Sequence, residues 1–118
     1  MAYGDWERAK RRAQEAIEAY HRSPTDPKLA EEAIGACLGY RMAPAFLELV
    51  PVIEQHLASD PKMVCLLAGA CDLVGHIQDT ERLLLTALQV QDDYETRELL
   101  ADCLLRQDRP DEAAPYLQ

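Results

Sequence analysis

His21, His56 and His76 are the residues best suited to acid-base work or metal binding, and they stand far apart along the chain. No two fall at the i, i+4 spacing that puts paired ligands on one helical face, and no H-E-x-x-H occurs. Cys37, Cys65, Cys71 and Cys103 lack the C-x-x-C spacing of zinc and redox sites. Buried reduced thiols are therefore expected. G-x-S-x-G, P-loop and G-x-G-x-x-G patterns are missing too, and with them the usual signs of nucleophilic and nucleotide chemistry. Paired carboxylates do occur, as Glu31-Glu32, Asp92-Asp93 and Asp111-Glu112. Each pair lies near an expected helix start, where acids favour the helix dipole. The chain reads as a non-enzyme, with no cofactor and no metal.

Charge and hydropathy narrow the remaining functions. The formal net charge is −9, and residues 29–118 hold six Lys/Arg against sixteen Asp/Glu. That balance disfavours nucleic acid, whose binding depends on clustered cations that release counterions. Arg8, Lys10, Arg11 and Arg12 form a basic cluster, but Glu7, Glu15 and Glu18 share their helix, as in ordinary surface pairs. No apolar run reaches the roughly 20 residues needed to cross a bilayer, and the N-terminus is charged where a signal peptide is apolar. The expectation is a cytoplasmic protein with no membrane partner.

The elements show first as internal repetition. Asp26-Pro27-Lys28 returns as Asp60-Pro61-Lys62, and Leu66-Leu67-Ala68 returns at almost the same interval as Leu99-Leu100-Ala101. Asp26 and Asp60 suit the N-cap, where a carboxylate accepts from orphan amides, and the prolines suit the first helical position. Helices are predicted over about 5–21, 27–42, 45–58, 61–74, 78–90, 93–106 and 110–117. The first should bury Trp6, Ala9, Ala13, Ala16 and Ile17 on one side. Gly75 is the expected turn between two helices, and Pro51, inside a predicted helix, should cost a backbone hydrogen bond and kink it. No segment alternates as a strand would. The whole of 1–118 is read as one domain with units at about 4–26, 27–60, 61–92 and 93–118.

In the unit from Pro61 to Asp92, Val64, Leu67, Ala68, Cys71, Gly75, Thr80, Leu84 and Ala87-Leu88 resemble the degenerate repeat signature of the tetratricopeptide repeat family. Tyr40 and Pro61 keep the pattern in the unit before, and Leu100, Ala101, Leu104, Ala113 and Leu117 keep it in the unit after. The resemblance implies an all-α, right-handed α-α superhelix of about seven antiparallel helices, with Ala68 and Ala101 buried at crossings. It also implies a protein-interaction scaffold that takes a peptide or protein partner on a groove lined by the first helix of each unit. By the family's register that groove contains Glu31, Ile34, Leu38, Arg41 and Met42, then Lys62, Cys65, Gly69, Asp72 and Leu73, then Glu95, Glu98, Asp102 and Arg106.

A second expectation is self-association, with a homodimer built through a terminal face at Trp6, Tyr116 and Leu117. The final helix presents apolar residues without a following cap, and the first lacks the partner helix that the family pattern places before it. An oligomerisation unit cut from, or working within, a larger assembly is the alternative to the scaffold.

Overall fold

The computed structural model describes residues 3–118, and among these there are seven α-helices and no strand. They form two compact units, one reaching Leu57 and one running from Ala58 to Gln118. None of the helices is long and apolar enough to cross a membrane.

The first unit holds α1 (Tyr3–Arg22), α2 (Pro27–Gly39) and α3 (Ala43–Leu57). Asp5 in the first turn of α1 and His21 and Arg22 in its last turn match the helix dipole. Ala13, Ala16, Ile17 and Tyr20 follow helical spacing; Ala13 and Tyr20 are fully buried, and the two between them are half-buried. Trp6 departs from the expected stripe: it is 41% exposed. α2 begins as its sequence predicts, with Asp26 Oδ1 accepting from the amide of Lys28 at 2.9 Å and Pro27 in the first turn. Its buried side is Ala30, Ala33, Ile34 and Cys37, and α2 packs between α1 and α3. α3 continues through Pro51, whose ring lies on the exposed side opposite the buried Phe46, Leu49, Val50, Ile53 and Leu57.

The second unit holds α4 (Pro61–Leu73), α5 (Ile77–Val90), α6 (Tyr94–Arg106) and α7 (Pro110–Ala113), followed by a 3-10 turn over Ala114–Leu117. Asp60 and Asp93 cap α4 and α6, accepting from the amides of Met63 and Thr96 at 3.2 and 2.8 Å. Both caps therefore repeat the part that Asp26 plays in the first unit. Leu67, Ala68 and Cys71 of α4 face Leu83, Leu84 and Ala87 of α5 in a closely packed pair, with Leu100, Ala101 and Leu104 of α6 completing the core. Ala68 and Ala101 are buried, as expected. The predicted last helix, 110–117, splits in two: Pro115 has no amide with which to continue the α pattern, so the chain tightens into the 3-10 turn.

Three turns share one design. Tyr40-Arg41-Met42, Val74-Gly75-His76 and Gln107-Asp108-Arg109 each place their middle residue in the left-handed region, at φ 55, 83 and 59°. In each, the middle and last amides fold back onto carbonyls of the helix just ended, and the last residue's carbonyl accepts the first bond of the next helix. The sequence marks only the Gly75 turn openly. Arg41 and Met42, expected on the first helix of their unit, belong instead to the turn after it, because this paired hydrogen bonding stops α2 at Gly39.

Candidate functional site

Two exposed stripes run along the first helices of the second unit. On α4 the stripe is Lys62, Leu66, Gly69 and Leu73, with the half-buried Cys65 and Asp72 among them; on α6 it is Glu95, Glu98, Leu99, Asp102, Leu105 and Arg106. The steps of three and four put each set on one helical face, turned away from the buried Leu67–Ala68–Cys71 and Leu100–Ala101–Leu104 sets. Side-chain contacts show that the two stripes adjoin. Arg106 Nη1 donates to Asp72 Oδ1 at 2.8 Å, and Arg106 Nε lies 3.1 Å from Asp102 Oδ2. One turn from the other end, Cys65 Sγ and Thr96 Oγ1 are 3.6 Å apart. Between the helix starts lies a cleft of about 280 Å³, lined by Pro61, Lys62, Cys65, Gln91, Asp93, Glu95, Thr96 and Leu99.

The electrostatics follow from these contacts. The Asp72 hydrogen bond raises the Arg106 guanidinium above its already high ordinary value. The amide of Thr96 holds the Asp93 carboxyl below the usual carboxylate range. Arg97 binds Asp92 at 2.7 Å, Arg82 meets Asp79 at 3.1 Å, and Arg109 Nη1 reaches Glu81 at 2.6 Å while its fork engages Glu112. All four arginines of the second unit are thus engaged with carboxylates of the same unit.

Of the residues expected on the groove, the structure brings Lys62, Cys65, Gly69, Asp72, Leu73, Glu95, Glu98, Asp102 and Arg106 onto these adjoining stripes. In the first unit, Glu31 is exposed on α2, Leu38 is half-buried near its end, and Arg41 and Met42 lie in the turn. Ile34 is a correction: at 3% exposure it belongs to the core of the first unit. Its counterpart in the following repeat is Ala68, itself a core residue, so the expected set slipped by one position there. Leu66, Leu99 and Leu105 were missed. The echo of Leu66-Leu67-Ala68 in Leu99-Leu100-Ala101 contained the signal, since the leucine before a buried Leu-Ala step starts the exposed side.

At the far end of the second unit, Tyr116 is half-buried and Leu117 exposed. Tyr116 and Pro115 stand between two clefts of about 390 and 300 Å³ that open onto Leu85. Cys37, Cys71 and Cys103 are buried, and burial pushes the thiols of Cys37 and Cys103 up. Among the described residues, no three His, Cys, Asp or Glu side chains gather where they could hold a metal ion.

No family model and no curated protein matches the chain. Among solved structures, MamA MSR-1 C2, a TPR-like helical protein, superposes with a TM-score of 0.68 over 98% of this chain and 67% of its own. The two are 14% identical, so the likeness is one of fold. The fold is TPR-like. The recurring caps at Asp26, Asp60 and Asp93 and the shared turn design build the helix pairs within each unit.

Proposed function

We propose that the chain is a cytoplasmic, non-enzymatic protein-interaction module whose docking face is the paired α4–α6 stripe of the second unit, binding a protein or peptide and neither nucleic acid nor membrane. The observation that carries this reading is the exposure of large apolar side chains there: Leu73 is 78% and Leu99 51% exposed, and Leu66 is open too. Scattered single leucines on a surface are ordinary, but a run of them along two adjoining helices, rimmed by charge, is how interaction sites are built. The TPR-like fold supports it by leaving such faces uncovered. Four cysteine thiols, three of them buried, suit a reducing compartment.

The test is photocrosslinking in native extract, with a benzophenone side chain placed at Leu73 or Leu99 and, as a control, at the exposed Gln89 on α5. A protein adduct formed from the first two positions and absent from the third is expected. Equal labelling from all three would sink the docking face.

Exposed Trp6 and Leu117 favour a second reading, a homodimer through a terminal face. Sedimentation at micromolar concentration distinguishes it: a dimer that Trp6→Glu or Leu117→Glu dissolves supports self-association, and a monomer throughout rejects it.

A further inference from the structure

The α4–α6 face has a sign as well as a shape. The second unit carries five Lys/Arg against twelve Asp/Glu, a net −7, whereas the first carries seven against nine, a net −2. Its four arginines are each paired with carboxylates of the same unit, which offsets their positive charge locally. Glu95 and Glu98 differ: they are exposed, one helical turn apart on the α6 stripe, and among the described residues neither forms an ion pair. Leu66 and Leu73 on α4 and Leu99 on α6 are exposed apolar residues of the same stripes. Lys62 supplies one positive charge at the cleft end of the face, which fixes a direction along it.

Resting on the docking-face reading above, we infer that the partner is a basic amphipathic segment, with Lys or Arg residues one turn apart to meet Glu95 and Glu98 and apolar side chains to cover Leu66, Leu73 and Leu99. Charge complementarity selects it. An acidic segment would bring like charges together at Glu95 and Glu98, and a purely apolar one would cover both carboxylates without giving them partners. Reach agrees as well, since a helical peptide of about twelve residues is roughly 18 Å long, close to the length of the 13-residue α4 and α6.

The experiment titrates the full chain against a fluorescein-labelled Lys/Leu amphipathic peptide of that length, with Glu/Leu and Gln/Leu versions as comparisons. Binding of the Lys/Leu peptide alone is expected, weakened about tenfold or more by Glu95→Lys with Glu98→Lys and likewise by Leu73→Ser with Leu99→Ser. Glu15→Lys with Glu18→Lys, on exposed positions of α1, makes the same change in net charge and should alter affinity less than about twofold. Circular dichroism checks that each variant is folded, and Glu95→Gln with Glu98→Gln repeats the test without adding cations near the start of α6. Equal losses from the α1 and α6 reversals would reduce the effect to net charge and overturn the inference. So would equal binding of the Glu/Leu peptide, even where crosslinks at Leu73 and Leu99 uphold the face itself. A dimer of the chain alone that Glu95→Lys with Glu98→Lys dissolves would put a second copy on the face and overturn it too.

Discussion

Gly69 and Gly75 offer a controlled comparison, because a Cβ added at either would meet no atom within 4 Å. Steric crowding by neighbours therefore drops out, and only the backbone decides. Gly75 sits at φ +83 in the turn between α4 and α5, where its amide donates to Asp72 O at 3.0 Å and the next amide to Cys71 O at 2.9 Å. An L-residue in that region costs about 1 to 2 kcal/mol, partly offset by the smaller entropy of an unfolded chain with Ala in place of Gly. Gly75→Ala should destabilise by about 1 kcal/mol, which for a chain of this size lowers the melting temperature by roughly 3 to 6 °C. Gly69 lies inside α4 with ordinary helical backbone, so Gly69→Ala should stabilise by about 0.5 to 1 kcal/mol. Arg41→Gly, which relieves the same left-handed strain at φ 55 while loosening the unfolded chain, should fall between the two and close to neutral. Urea unfolding followed by circular dichroism in the far ultraviolet measures all three. If both alanine changes moved stability in the same direction, the left-handed turn would not be what distinguishes these two sites.

Three further outcomes are expected. The Tyr20 hydroxyl is buried without a hydrogen-bond partner, so Tyr20→Phe should leave stability unchanged or raise it by up to about 1 kcal/mol, and a loss of that size in urea unfolding would contradict the placement. Ala68→Phe should cost roughly 1 to 3 kcal/mol by overpacking the contact between α4 and α5, read as a lower melting temperature. The hydrogen bond from Arg109, aided by Gln107, holds Glu81 below the usual carboxylate range; its contribution to stability is therefore present above about pH 4.3 and lost as pH falls through the lowered folded value. Acid unfolding should accordingly show a stability difference between wild type and Glu81→Gln that shrinks on acidification, and a pH-independent difference would exclude the linkage.

Local chemistry made the helices legible from the sequence. Asp26-Pro27 and Asp60-Pro61 announce their helix starts because a cap and a fixed proline φ act within a few residues, whatever surrounds them. The echoes at a nearly constant interval carried the architecture, since repeated units must bury equivalent faces. Arg41 and Asp108 hid their turns: the left-handed position favours Gly but tolerates others, so side-chain identity alone does not reveal it. Ile34 was misplaced for a related reason, because an apolar residue beside the edge of a stripe is compatible with both core and surface until packing chooses. The pairing of Arg106 with Asp72, and the adjoining of two leucine-bearing stripes, were decided by tertiary structure alone. Those two residues lie a full repeat apart in the sequence, and only the return of the chain through α5 brings the first helices of successive repeats side by side.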